Sequence, residues 1–243
     1  MIIDLLYKAG KLAGQLLLLK KFNHIPKVEG DIPESGSQIF VANHLPEYRG
    51  PFAAVSAIPY RIYPWAGDVW MDRDDAIKHA QDGFFFRRYG DSILSKVGGF
   101  ALGSFLSWAL NAFEAIPVYR DRETEHGTRR INETYIRTAI KLHEHKPILV
   151  FPEYTCGEPD SHGLWPFKYG FTKIPEYYFV FGEDSLDYYA MGICHITGNV
   201  MIAPRYTVYK EDFIMGHPKT RANRRQLKED LENKIRDMCS EMN

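Results

Sequence analysis

The chain has 243 residues, of which 45% are hydrophobic and 25% charged, a globular composition with enough apolar surface for a sizeable core. The formal net charge of -1 provides no global attraction to nucleic acid, so we expect no nucleic-acid partner and only local electrostatic recognition. Cys156, Cys194 and Cys239 form neither a disulfide pattern nor a metal-ligand pair, and no secretory leader is evident. These features favour a reducing, cytoplasmic location. The sequence contains no run of about 20 apolar residues, so it predicts no membrane-spanning helix.

The first predicted element is a helix over residues 2–22, which we separate from a single α/β domain over residues 23–243. Its apolar residues recur at helical spacing, and its lysines outnumber its one acid, Asp4. A basic amphipathic helix can lie in a membrane interface with its lysines on lipid phosphates. It can equally cover the domain, and the sequence leaves both roles open. Residues 23–37, rich in proline, glycine and acids, predict a loop that leads into the first strand.

Strands and helices alternate along the rest of the chain. The predicted elements are a strand over 38–42, a helix over 128–145, strands over 148–151 and 200–204, and a C-terminal helix with Leu227, Leu231, Ile235 and Met238 on one face. This alternation predicts an α/β protein with a layered sheet flanked by helices.

Residues 97–113 form an uncharged stretch between Lys96 and Glu114. The stretch is short for a membrane span, and three glycines within it lower the helix propensity. It predicts either a helix in the core or a helix that dips into a membrane interface.

A histidine lies directly after the predicted strand 38–42, where Asn43 and His44 begin a new element. A histidine in this position suits a general base, because the strand fixes the backbone while the ring can face a substrate cleft. In three later segments, 115–121, 149–155 and 167–170, charged residues follow apolar ones.

The order and spacing of these four segments resemble the glycerophospholipid acyltransferase family, whose members acylate glycerol-3-phosphate and lysophospholipids. That family has an Asn-His-x4-Asp block, an Ile-Pro-Val-x-Arg-like block, a Phe-Pro-Glu-Gly-Thr-Arg block and a basic Phe-Lys-x-Gly stretch. The resemblance covers residues 35–210, and the matching positions are Asn43, His44, Arg120, Phe151, Pro152, Glu153, Thr155, Lys168 and Gly170.

The resemblance implies transfer of a fatty acyl group from acyl-CoA or acyl carrier protein to a glycerolipid-type acceptor such as a lysophospholipid. The enzyme would work at a membrane lipid surface, as a cytoplasmic and peripheral protein, without a bound cofactor or metal. His44 would be the general base. Arg120 would bind the phosphate of the acceptor, although it could instead pair with Asp121.

The same resemblance implies supporting roles for three further residues. Glu153 would contact the acceptor hydroxyls or order the pocket, and Thr155 would support the turn that follows. Lys168 would add positive charge over a phosphate, although a solvated loop lysine explains it nearly as well.

The chain departs from the family pattern at three positions. Arg49 stands where the family has its aspartate, Tyr154 replaces a glycine and Cys156 replaces an arginine. A cation near His44 disfavours the imidazolium that forms during turnover, and Glu47 is the acid that could compensate. Glu47 could instead be an ordinary acid near a helix N-terminus. The alternative function is therefore a catalytically inactive, acyltransferase-like protein that binds lipid or acyl carrier.

Overall fold

A computed structural model describes residues 2–45, 49–85, 90–119, 127–153 and 164–242. The chain groups into two compact units, one made of Met1–Tyr7 with Tyr63–Thr134 and the other of Lys8–Ile62 with Tyr135–Asn243. Strands and helices occur in both units, so the predicted α/β class is confirmed. The division into an N-terminal segment and one domain over 23–243 stays a prediction.

The helices are α1 (Ile2–Phe22), α2 (Arg49–Ala57), α3 (Arg73–His79), α4 (Ile93–Ala112), α5 (Gly127–His143), α6 (Ile174–Tyr178) and α7 (Pro218–Glu241). The strands are β1 (Val28–Glu29), β2 (Gln38–Ala42), β3 (Tyr63–Gly67), β4 (Ile116–Val118), β5 (Ile148–Val150), β6 (Ser185–Ile193), β7 (Val200–Ile202) and β8 (Tyr206–Tyr209). Each predicted helix or strand coincides with one of these, with ends that differ by a few residues. The predicted face of the C-terminal helix is also found, since its four apolar residues are buried in α7.

A mixed sheet organises the second unit around strand β2. β2 lies between β5 and β6 and runs parallel to both. On its other edge, β6 pairs antiparallel with β7 and with β8, and β1 runs parallel to β7. Every residue of β2 and β5 is buried, which explains why both read as continuous apolar runs rather than alternating ones.

The sequence analysis predicted β2, β5 and β7 and missed the other five strands, among them the longest strand, β6, and the short strand β1. Most residues of β6 are buried on both sides of the strand, including its last six, so it lacks the alternation that signals a half-buried strand. β1 has only two residues, and it lies inside the segment 23–37 that the sequence predicted as a loop.

The first unit pairs β3 with β4 in parallel and packs α4 against α3. A side chain at Gly103 of α4 would collide with the backbone of Ile77 in α3. The glycine therefore allows the two helices to approach each other closely, which compensates for its low helix propensity.

Helix α4 exposes most of its large apolar side chains. It begins at Ile93, earlier than the predicted stretch, and it is long and apolar enough to cross a membrane, although only 28% of the apolar window is buried. Its buried residues are small: Ser95, Gly99, Gly103, Ser107 and Ala109. Val97, Phe100 and Trp108 are 63%, 51% and 51% exposed. A helix in the core would bury these side chains, so the core interpretation of this stretch does not describe α4; the interface interpretation stays a prediction.

Residues 8–22 of helix α1 pack within the second unit through a face that has few leucines. Gly14 lies against the ring of Phe52, and the Lys11 ammonium donates a hydrogen bond to the carbonyl of Ile58. Leu18, on the same face, is fully buried. The leucine-rich face remains outside, with Leu12, Leu16 and Leu19 at 58%, 58% and 39% exposure.

Candidate functional site

The register of two parallel strands brings His44 and Glu153 together. Ile39 of β2 is opposite Ile148 of β5, and Val41 is opposite Val150. His44 and Glu153 lie equally far beyond these pairs, at the carboxyl ends of their strands. The Oε2 atom of Glu153 accepts a hydrogen bond from the backbone N–H of His44 at 2.6 Å. Two residues that are far apart in the chain, both predicted as site residues, are therefore neighbours.

Glu153 is held on its other side by the segment that contains Lys168. The carboxylate belongs to a residue that is only 9% exposed, and Glu153 forms an antiparallel bridge with Phe167. The backbone N–H of Lys168 donates to the carbonyl of Pro152 at 2.9 Å, while the Lys168 side chain is exposed. A carboxylate bonded to a backbone N–H in so buried a place anchors the chain, because such charge-assisted bonds are strong.

Asn43 fixes the end of β2 against the end of β6. Its side chain is 1% exposed. Nδ2 donates to the carbonyl of Ile193 at 2.9 Å, and Oδ1 accepts from the N–H of Ile193 at 2.7 Å. This paired contact positions the backbone immediately before His44. The sequence analysis assigned Asn43 no role of its own; its only local signal is an amide side chain directly after a buried strand.

The ring of His44 packs edge-on against Phe151, with centroids 5.3 Å apart and planes at 79°. This T-shaped arrangement is a favourable one for aromatic rings. Phe151 follows β5 directly, so the same parallel register that positions Glu153 also orients the imidazole. His44 itself is only partly buried, although its Nδ1 atom is fully buried.

The first turn of α2 lies on the backbone of His44 and Leu45. Gly50 is buried, and a Cβ atom there would lie 2.6 Å from the Leu45 nitrogen, so only glycine allows this approach. The N-terminal turn of a helix bears partial positive charge, and Arg49, the first residue of α2, adds a full charge. The sequence analysis recognised Arg49 but missed Gly50, whose importance depends on a tertiary contact.

Three of the predicted site residues, Glu47, Arg120 and Thr155, lie outside the described residues, as do Tyr154 and Cys156. Within the described ranges, no three side chains of His, Cys, Asp or Glu come together as a metal site requires. The described part of the candidate site therefore consists of His44, Glu153 and the backbone of Lys168, with Asn43 and Gly50 as structural support.

No protein-family model matches the chain, and no curated protein or solved structure does. The resemblance to the glycerophospholipid acyltransferases therefore stays an interpretation of the sequence blocks. The structure adds that three of the four blocks meet in the second unit, at the carboxyl ends of β2 and β5.

Proposed function

We propose that the protein transfers a fatty acyl group from acyl-CoA or acyl carrier protein to a hydroxyl of a glycerolipid-type acceptor such as a lysophospholipid. His44 is the general base in this proposal. Its main support is the parallel register of β2 and β5, which sets His44 beside Glu153. Ligands of α/β proteins commonly bind at this edge of a sheet, outside the carboxyl ends of the strands.

In the proposed reaction the His44 imidazole takes the proton of the acceptor hydroxyl while that oxygen attacks the carbonyl carbon of the thioester. A C–O bond forms, the C–S bond breaks, and the departing thiolate receives the proton from the imidazolium. Glu153 acts as a positioning residue, because its Oε2 atom holds the backbone N–H of His44. Of the two roles that the resemblance implies for Glu153, this one corresponds to ordering of the pocket rather than to contact with the acceptor hydroxyls.

The N-terminal turn of α2 is suited to an anion near His44. Its partial positive charge and Arg49 together favour the oxyanion of the tetrahedral intermediate or a phosphate of the acceptor. The same charge opposes an imidazolium, so Glu47 is proposed to balance the ring during turnover. Arg120, Thr155 and Lys168 are proposed to bind the acceptor, Arg120 and Lys168 through its phosphate.

A peripheral location on a membrane surface belongs to the same proposal. Its support is the exposure of large apolar side chains on α4, among them Phe100 and Trp108, and of leucines on α1. Lys8, Lys20 and Lys21 of α1 are also exposed and could contact lipid phosphates. Soluble proteins seldom leave such helix faces uncovered.

A second function, an inactive protein that binds lipid or acyl carrier, is favoured by one observation. The Glu153 carboxylate is engaged with backbone, and the cation Arg49 starts the helix that packs on the His44 segment. A fold can keep such a framework after catalysis is lost, since the bonds of Glu153 and Asn43 stabilise the sheet irrespective of turnover.

The experiment that separates these functions is an acyl-transfer assay with the full chain, using acyl-CoA donors of several lengths and lysophospholipid or glycerol-3-phosphate as acceptor. We expect product from wild type, and a loss of at least about a hundredfold in His44→Ala, the size of a general-base contribution. His143→Ala, which removes an exposed histidine of α5, is the matched control and should retain full activity. If no donor yields product but lipid vesicles still bind the chain, the inactive function is correct. Arg49→Asp should raise activity only if the chain is a decayed enzyme.

A further inference from the structure

A second cluster of charged residues lies at the start of α7, a helix that contains none of the residues assigned to acyl transfer. The first eleven residues of the helix, 218–228, contain no acid, and their cations are Lys219, Arg221, Arg224, Arg225 and Lys228. Cations are unfavourable at a helix N-terminus, because they meet the positive end of the helix dipole. Departures of this kind from local rules are typical of functional sites.

The arginines of this cluster line a cleft of about 490 Å³, which we call the arginine cleft. Arg221, Arg224 and Arg225 form one wall, since positions three and four apart share a helix face. The remaining lining residues come from the segment 169–176, from the turn before α7 and from the first turn of α7: Tyr169, Glu176, Gly216, His217 and Thr220. All of these residues belong to the second unit.

The cleft holds more positive than negative charge. Arg224 pairs with Glu176 at 3.4 Å, and its Nε donates to Thr172 Oγ1 at 3.3 Å. Arg225 pairs with Glu229 at 2.9 Å, but the Arg225 side chain is 72% exposed, so that pair is weak. In the part of the chain that the structure describes, no acid forms an ion pair with Arg221.

One acid inside the cleft positions an arginine. Glu176 is 11% exposed and Arg224 is 20% exposed. Burial raises the pKa of the Glu176 carboxyl, against the opposing effect of Arg224 and Lys173. The ion pair with Glu176 and the hydrogen bond to Thr172 hold Arg224 in place. The hydrogen bond uses only one of the five N–H donors of the guanidinium, which leaves donors for a further acceptor.

We propose that the arginine cleft binds a phosphate monoester or pyrophosphate group, with Arg221 and Arg224 as its main ligands. A planar guanidinium forms paired hydrogen bonds with phosphate oxygens, and the N-terminal turn of α7 adds favourable partial charge. The phosphate can belong to a small soluble molecule or to a lipid headgroup. Neither Arg221 nor Arg224 has a role in the acyl-transfer proposal, so failure of that proposal leaves this one intact.

Binding of inorganic pyrophosphate to the full chain tests the proposal, by calorimetry at constant ionic strength with sulfate as the reference anion. We expect Arg221→Gln to weaken pyrophosphate binding at least about tenfold, the loss that follows from one charge-assisted hydrogen bond. Arg221 makes no bond that the fold needs among the described residues, so this variant should remain folded. Arg236→Gln removes a cation from the same helix outside the cleft and should change the affinity less than about twofold, as a distant, salt-screened charge does.

Cosedimentation with phosphatidylcholine vesicles that contain phosphatidic acid distinguishes the two sources of phosphate. Binding to these vesicles that depends on Arg221, without pyrophosphate binding, assigns the cleft to a lipid headgroup. Pyrophosphate binding that depends on Arg221, with vesicle binding unchanged in Arg221→Gln, assigns it to a soluble ligand. The proposal is overturned if neither probe binds, if sulfate competes equally well, or if Arg236→Gln weakens binding as much as Arg221→Gln.

Discussion

Replacement of Asn43 by alanine should destabilise the protein strongly, although this residue lies next to the proposed general base. The substitution removes both hydrogen bonds to the backbone of Ile193, at 2.9 and 2.7 Å. Both bonds are in the interior, because the Asn43 side chain is 1% exposed. The N–H and carbonyl of Ile193 would each lose a partner in a place that water cannot easily reach.

The magnitude follows from the cost of an unsatisfied buried polar group, which is about 1–3 kcal/mol. The N–H of Ile193 would be left without a partner, while its carbonyl would keep a weak contact from the Cys239 thiol at 3.8 Å. The two groups together predict a decrease of about 2–4 kcal/mol in the free energy of unfolding. That is a large fraction of the 5–15 kcal/mol or so typical of a folded protein. Urea unfolding followed by circular dichroism measures it, with the slope checked against wild type so that a change in midpoint reports stability.

Asn233→Ala is the matched control for this measurement. Asn233 is exposed on α7, where its Oδ1 accepts only a surface hydrogen bond from Arg236 at 3.2 Å. Its replacement should change the free energy of unfolding by less than about 0.5 kcal/mol. A loss below about 1 kcal/mol in Asn43→Ala would refute the assignment of Asn43 as the connection between β2 and β6.

Three further predictions concern packing and ionisation. Gly50→Ala should lower the free energy of unfolding in urea by about 1–3 kcal/mol, because its Cβ meets the Leu45 nitrogen. Gly36→Ala should be near neutral, because the nearest atom to its Cβ is Gln38 Oε1 at 4.0 Å, and equal effects of the two substitutions would contradict this. Tyr188→Phe should raise the free energy of unfolding by about 1 kcal/mol in the same assay. The reason is that the fully buried Tyr188 hydroxyl has no hydrogen-bond partner among the described residues. A destabilised variant would contradict this. Burial and the hydrogen bond to Asp230 raise the pKa of Tyr206 to about 12. Between pH 10 and 12 the unfolded chain therefore loses a proton that the folded chain keeps, so stability falls with rising pH, and the fall should be smaller in Tyr206→Phe.

The sequence predicted those elements whose pattern is local. Strand β2 and helix α7 were readable from an apolar run and from a one-sided helical repeat, since both signals come from neighbouring residues. Strand β6 was not readable, because its burial on both sides depends on β2, β7, β8 and the helices that cover them. The same limit applies to α4. Its glycines predicted a weak helix, whereas in the structure Gly103 allows the close approach of Ile77 and Gly99 that of Gln81.

For the candidate site, the sequence by itself determined which residues could do chemistry: His44 after one buried strand and Glu153 after another. Only the tertiary structure decided that they are neighbours, because the parallel register of β2 and β5 sets how far each chain extends beyond the sheet. Only the tertiary structure shows that the Glu153 carboxylate accepts a hydrogen bond from the backbone N–H of His44, and that Asn43 connects the ends of β2 and β6. The arginine cleft belongs to the same category, since the cations of α7 are visible in the sequence but the wall opposite them comes from residues 169–176. Local patterns indicate candidate residues, whereas contacts between distant segments determine which of these residues are neighbours and which partners they have.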